Sequence, residues 1–184
     1  PNADDVVRAQ AVQPDGKIII AGDFSSIGGV SRPGVARLNA NGSLDPAYAP
    51  SLVGQVQSIL VQPDGGVLLG GLFSGGIIRT TPSGSVDGTF APNVGTVSGS
   101  PLVAAMAAQT DGKIVIGGNF SQVGGVGRDF LARINSDGTL DLDFNPDPNS
   151  TVWSAAVQAD GKIIIGGYFT NVWGTSRNHI ARLN

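Results

Sequence analysis

The residues with the clearest chemical potential lie in Asn135-Ser136-Asp137-Gly138-Thr139-Leu140-Asp141-Leu142-Asp143, where oxygen donors alternate along the chain and a glycine permits a bend. Calcium takes side-chain oxygens in that pattern, so Asn135, Asp137 and Asp141 form a candidate Ca2+ set. A fuller calcium loop would begin with a further acidic residue two places earlier, and here that place is Arg133. A hairpin turn followed by an aspartate paired with an arginine accounts for the same residues more simply. The expectation is therefore no cofactor, with calcium as the alternative.

Other groups offer less to a reaction. His179 is the sole histidine, the chain has no cysteine, and no serine stands in a recognisable nucleophile motif. Asp4-Asp5, or Asp141 with Asp143, is the kind of carboxylate pair a glycosidase uses, but acidic turns on a solvated surface explain both. The chain is expected not to be an enzyme. Three of the four tryptophan and tyrosine residues fall together near the carboxyl end, at Trp153, Tyr168 and Trp173. Flat aromatic faces stack on sugar rings or anchor a protein partner, so these are the candidate ligand-binding residues. Packing at the edge of the last repeat is the competing explanation.

Stepping outward from these residues, the chain is organised by repetition. Gln13-Pro14-Asp15-Gly16-Lys17-Ile18-Ile19-Ile20-Ala21-Gly22-Asp23-Phe24 returns from Gln62, Gln109 and Gln158, at intervals of 49, 47 and 49 residues. A fixed period of this size points to a propeller or solenoid. Within each copy an apolar strand meets a turn whose glycine, Gly16, Gly65, Gly112 or Gly161, takes the left-handed conformation. A second strand, apolar on both faces, follows and runs into paired small residues and then Phe24, Phe73, Phe120 or Phe169. Strands of that composition are covered above and below, which makes the phenylalanines interblade plugs.

A third strand carries Arg37, Arg79, Arg133 or Arg182, and an Asn-Gly or Asp-Gly turn leads to a fourth, outer strand bearing Asp45, Asp87 or Asp141. The repeated arginines and aspartates read as a structural ion pair or a carbonyl clamp. The expected fold is an all-β propeller of four repeats, approximately 1–50, 51–93, 94–149 and 150–184, each a four-stranded antiparallel blade. Repeat two is about seven residues short before its third strand, repeat three adds an exposed loop over 93–101, and repeat four stops before its outer strand. An unfilled strand position leaves an open edge. Four repeats close alone, pair into a larger ring, or form an arc of a longer chain.

Composition narrows the partners. A net charge of −3 supplies no basic stripe for nucleic acid. No apolar run approaches the roughly 18 residues that cross a bilayer, and the first residues have neither the basic nor the apolar region of a signal peptide. The chain begins without methionine, as a mature product or an excised piece does.

The series Gln-x-Asp-Gly-Lys, apolar run, Gly-Gly-x-Phe, Ala-Arg-Leu-Asn, Asn/Asp-Gly-Ser/Thr-Leu-Asp and Phe resembles the delta-60 repeat family of bacterial β-propeller-like repeats. The likeness is specific in repeats one, three and four, whereas repeat two departs with Gly66 for the lysine and Thr80-Thr81 for Leu-Asn. The resemblance implies a propeller repeat of large secreted or surface bacterial proteins and brings no catalytic residues. The double glycine is also similar to kelch repeats, but the tyrosine and tryptophan that follow at fixed spacing in a kelch blade are absent. The functional expectation is a noncatalytic scaffold or interaction module, extracellular or at the cell surface, with a protein or glycan partner. The alternatives are a lectin-like module using Trp153, Tyr168 and Trp173, and an assembly subunit that associates with itself through the incomplete last blade.

Overall fold

The computed structural model describes residues 1–51 and 54–184. It is all β. Each repeat forms an antiparallel meander: Val7–Val12, Ile18–Gly22 and Val35–Leu38 in blade 1; Gln55–Val61, Val67–Leu72 and Ile77–Thr80 in blade 2; Leu102–Ala108, Ile114–Asn119 and Leu131–Ile134 in blade 3; Val152–Val157, Ile163–Gly167 and Ile180–Leu183 in blade 4. The first strands of successive blades lie side by side along the inside of the arc, and among the described residues no comparable packing joins blade 4 back to blade 1.

The fourth strand of blades 1, 2 and 3 is more modest than the sequence pattern predicts. It contributes a single bridge, Leu38 with Leu44, Thr80 with Val86 and Ile134 with Leu140. The aspartate that follows takes the amide contact, since Asp45, Asp87 and Asp141 each donate their backbone N–H to the carbonyl of Arg37, Arg79 or Arg133. Proline at 46 and glycine at 88 then end the ladder. The loop expected over 93–101 is partly strand as well: Val94–Gly95 pairs with Gln122–Val123, and Val94 is buried. In three blades the segment between second and third strands folds as a small rim hairpin, Ser26–Ile27 with Val30–Ser31, Gln122–Val123 with Val126–Gly127, and Asn171–Val172 with Thr175–Ser176. Repeat two lacks the residues for it and turns on Gly75-Gly76 instead.

Two glycine positions are set by backbone geometry. Gly16, Gly65, Gly112 and Gly161 sit at φ +81°, +82°, +84° and +83°, the left-handed region that the hairpin turn demands. The second residue of the paired small residues answers a different need. Every first strand carries a β-bulge at the same place, at Arg8, Gln57, Ala104 and Trp153. The bulge pushes the preceding strand onto its neighbour, so a Cβ on Gly22, Gly71, Gly118 or Gly167 would run into the carbonyl oxygen of Val6, Gln55, Leu102 or Thr151.

Because side chains alternate across a strand, each blade has a front face toward the next blade and a back face toward the previous one. Ile19, Ala21 and Val35 on the front of blade 1 meet Val67, Leu69 and Phe73 on the back of blade 2. Leu68 and Ile77 likewise meet Ile114, Ile116 and Phe120, and Val115 and Leu131 meet Ile163, Ile165 and Phe169. Phe24 fills the same place on the back of blade 1, covered there by Ala3 and Leu44. A second aromatic enters each seam from the outer segment of the preceding blade: Tyr48, Phe90 and Phe144, all buried.

One departure in repeat two follows from that second aromatic. Tyr48 stands where its counterparts are phenylalanine, and its hydroxyl lies 2.7 Å from the Thr80 hydroxyl in a fully buried seam. Thr80 replaces the leucine or isoleucine of the other blades and passes the hydrogen bond on to the Val67 carbonyl. The two substitutions compensate one another.

The repeated ions lie on the outer side of the same seams. Asp45 accepts from Lys17 and Arg37, each at 2.9 Å, and Asp141 from Lys113 at 2.7 Å and Arg133 at 2.8 Å. Arg37 also donates to the Pro82 carbonyl of blade 2 at 2.7 Å, and the guanidinium groups of Arg37 and Arg133 lie 4.6 Å above the rings of Tyr48 and Phe144. In repeat two, where Gly66 replaces lysine, Arg79 spreads over Asp87, Gln62 and Asp64. The lysine hydrogen bond, aided by the arginine, holds Asp45 and Asp141 down at about 2 against the opposing effect of burial.

Two measurements follow. Thr80→Val leaves the Tyr48 hydroxyl buried and unpaired and is expected to lower urea stability by about 1–3 kcal/mol; pairing it with Tyr48→Phe recovers most of that loss, and additive effects would refute the coupling. The aspartates are depressed from about 3.9 in the unfolded chain to the folded value, so their contribution is complete above pH about 4 and is lost as pH falls through about 2. The melting temperature should fall across that acid window, and Asp141→Asn should flatten the fall.

Candidate functional site

Positions shared by every blade serve the common frame, so function is sought where the blades differ. The bulge is such a place. Being released from the ladder, its side chain is re-aimed toward solvent, and the four bulge residues are chemically unlike: Arg8, Gln57, Ala104 and Trp153. In blades 1 and 4 the bulge residue meets the residue after the paired small residues. In blade 1 the result is an ion pair, Arg8 donating to Asp23 at 2.9 and 2.5 Å. In blade 4 it is an edge-to-face aromatic pair, with the rings of Trp153 and Tyr168 5.9 Å apart at 76°.

Trp153 is 46% and Tyr168 67% exposed. The same spot is open on blades flanked on both sides, since Leu72 and Asn119 are exposed there. The pair is therefore a rim feature, with both rings held apart by the T-shaped geometry. Trp173 does not join it. It occupies the tip of the rim hairpin at φ +51°, where Gly28 and Gly124 have +57° and +59° in the sister blades, an unfavourable conformation for so bulky a residue. Its backbone N–H donates to Pro146 and its indole N–H to the Asn145 carbonyl at 2.9 Å, latching blade 4 to the outer segment of blade 3. The structure thus brings together two of the three aromatic residues singled out in the sequence.

The candidate calcium residues have other employment. Asn135 donates to the Thr139 hydroxyl, Asp137 accepts from the Thr139 amide and hydroxyl, and the buried Asp141 carboxylate is already neutralised by Lys113 and Arg133. A cation would have to displace two fixed positive charges, so this donor set does not fit one. Among the described residues no three acidic or histidine side chains gather as metal ligands. His179 is exposed at φ +66°, its ring beside the Gly167 carbonyl, without an acidic partner.

Two of the surface recesses bear on the site. One, of about 420 Å³, lies between the Pro-Asp-Gly turns of blades 1 and 2 and is lined by Gln13, Lys17 and Arg37. The side-chain Oε1 of Gln13 is buried there without a partner among the described residues, whereas the side-chain oxygens of Gln62 and Gln109 accept from Arg79 and Arg133. The other, of about 190 Å³, runs along the outer edge of blade 4 between Val172, Trp173, Arg177 and Leu183. Its lining includes an arginine that motif reading passed over. Arg32, Arg128 and Arg177 recur at one position in the three blades with rim hairpins, and the first two reach across to the outer segment, donating to the Pro46 and Leu142 carbonyls at 3.1 and 3.0 Å. Their absence from the short repeat was the available signal.

No curated protein matches the chain. Among solved structures it is similar to a streptogramin B lyase, at 13% identity and TM-score 0.60 over 86% of this chain and 47% of that one. It is similar to a catalytically inactive virginiamycin B lyase from Staphylococcus aureus with quinupristin, at 14% identity and TM-score 0.61 over 98% and 56%. A calcium-binding regucalcin from Agrobacterium tumefaciens matches at 14% identity and TM-score 0.53 over 94% and 54%. The chain spans about half the length of these structures, and at such identities the likeness concerns the fold alone. A family model described as a domain of unknown function (DUF5122) beta-propeller matches residues 13–48, 62–90, 109–144 and 158–184, one segment for each blade. The chain belongs to this DUF5122 β-propeller family.

Proposed function

We propose that the chain is an arc of a β-propeller of the delta-60 type that works as a noncatalytic scaffold and interaction module of a secreted or surface bacterial protein. Its interaction runs through the open blade faces. The observation that carries this reading is Ile180, which is 65% exposed on the front of blade 4, while its counterparts Val35, Ile77 and Leu131 are 1%, 4% and 0% exposed beneath the next blade. Ser154, Ala156 and Ile164 continue the same face, the first two exposed and the third half-buried. At the other end the back of blade 1 shows Val12 at 69% exposure beside half-buried Ile18 and Leu38. The two faces have the chemistry of the two sides of one seam, so a second arc can dock head to tail, the heterologous contact that closes rings. Sedimentation velocity is expected to show concentration-dependent association that Ile180→Glu abolishes while the melting temperature stays put. A wild-type chain that remains monomeric up to its solubility limit overturns self-association.

A second reading rests on the exposed Trp153–Tyr168 pair. Two exposed rings on the rim suit a sugar ring, which stacks its C–H face on an aromatic. On a glycan array the wild type should give saturable binding that falls at least about tenfold in Trp153→Ala, the loss expected of a truncated aromatic anchor. An array without a saturable signal, or one insensitive to that change, removes the lectin reading.

A further inference from the structure

Repeat two departs from its sisters twice on one edge, and both departures remove a cation. Gly66 stands where blades 1 and 3 carry Lys17 and Lys113, and the rim hairpin that brings Arg32 and Arg128 to those blades has no counterpart between Phe73 and Ile77. The aspartates of this edge are kept. In blades 1 and 3 a lysine and an arginine converge on Asp45 or Asp141, whose side chains are 8% and 5% exposed. Asp87 is met by Arg79 alone and is 18% exposed. Arg79 also pairs with Asp64 of the hairpin turn, so one guanidinium serves two carboxylates.

The short connection also uncovers two backbone acceptors. Arg32 and Arg128 each clamp their blade at two points: the backbone N–H donates to the Ser25 or Ser121 carbonyl at 2.8 or 3.0 Å, and Nη2 donates to the Pro46 or Leu142 carbonyl. The matching carbonyls of blade 2 belong to the exposed residues Ser74 and Gly88, and neither accepts a hydrogen bond from the described residues. Ser74 and Gly88 line one recess of about 200 Å³ together with Ile77, Val86 and Asp87. The apolar share of the lost hairpin is made good within the repeat. Ile27 and Val123 of the rim hairpins share a core with Ala36 and Ala132, and blade 2 has Ile78 in place of that alanine, packed into the seam with blade 1. Nothing in the repeat restores a donor to the two carbonyls.

We propose that the outer edge of blade 2 is a docking site for an arginine-bearing segment of a protein partner. The incoming arginine takes the place that Arg32 and Arg128 hold in the sister blades, its backbone N–H on the Ser74 carbonyl and its guanidinium on the Gly88 carbonyl. Its methylene stem lies against Ile77 and Val86 of the recess. Asp87 and Asp64, one cation short, supply the local negative potential that attracts it. Arginine is preferred to lysine because a planar fork holds its own segment through one arm and the blade through the other, as Arg32 and Arg128 do with the Ser31 and Gly127 carbonyls at 2.8 Å. This edge is separate from the end faces and from the rim aromatic pair, and it does not rest on either reading above.

The test uses the full chain, labelled with 15N, and an acetylated, amidated peptide with the sequence of residues 121–128, Ser-Gln-Val-Gly-Gly-Val-Gly-Arg, taken from the rim hairpin of blade 3. Heteronuclear NMR titration is expected to give saturable shifts confined to the amides of residues 74–79 and 86–91, with a Kd of roughly 1 mM for a single charged anchor. Arg128→Gln in the peptide should weaken binding by at least about tenfold, as loss of a charge-assisted contact requires. In the protein, Gly66→Lys returns the lysine of the sister blades and should weaken binding about threefold or more at low salt. A Cβ at position 66 meets only side-chain ends, those of Asp64, Arg79 and Gln62, and the spectrum of this variant reports its fold directly. Absence of saturable shifts overturns the proposal, as do shifts spread over the edges of other blades, equal binding of the Gln peptide, or an affinity unchanged by Gly66→Lys. The peptide variant leaves the protein untouched, so a folding defect has no part in its result. Binding that persists in the Ile180→Glu chain upholds the blade 2 edge whatever the outcome for arc docking.

Discussion

Each blade is stable only against its neighbour, because the seam between them is built from both sides. A phenylalanine from the back of one blade and an aromatic ring from the outer segment of the one before it share the same apolar space, flanked by branched aliphatic residues. An isolated three-stranded sheet this rich in isoleucine and valine has no core of its own. Stability in such an array is a chain of nearest-neighbour terms, and the ion triads act on the same junctions: Arg37 holds Asp45 on its own blade and the Pro82 carbonyl on the next. The seam rather than the sheet is the unit of the structure.

Much of this frame was legible in the residues. The period located the blades, the double-sided apolar runs announced sheets covered on both faces, and the phenylalanine two places after the small pair stood where a seam needs a plug. What escaped reading is also physical. The outer segment looked like a full strand because its alternating pattern resembles one, but Pro46 and Gly88 stop the ladder after the aspartate. The stretch after Asn93 looked like a loop because serine and glycine dominate it, whereas Val94 pairs with Val123 of the rim hairpin, a contact distant in the chain that no local pattern encodes. The Thr80 departure made sense only when Tyr48 was seen beside it in space.

The site was less legible than the frame. Sequence placed Trp153, Tyr168 and Trp173 in one group because they are close in the chain, and the fold separates them: two meet on the rim, and the third is spent holding a hairpin to the adjacent blade. The acidic stretch near Asp141 reads first as a turn whose aspartate pairs with an arginine and second as a cation loop; the fold shows the arginine pair and adds Lys113, which that reading does not foresee. Conversely Arg177 carried no motif, and its meaning emerges from comparison with Arg32 and Arg128 in three dimensions.

The bulge on each first strand has an implication for how such a protein can change. Residues 8, 57, 104 and 153 are paid for by a glycine across the sheet and owe nothing to the hydrogen-bond ladder. A change at any of them, matched where needed by its partner across the sheet, leaves the ladder and the seams in place. A family built this way can diversify its surface vocabulary while its skeleton stands still.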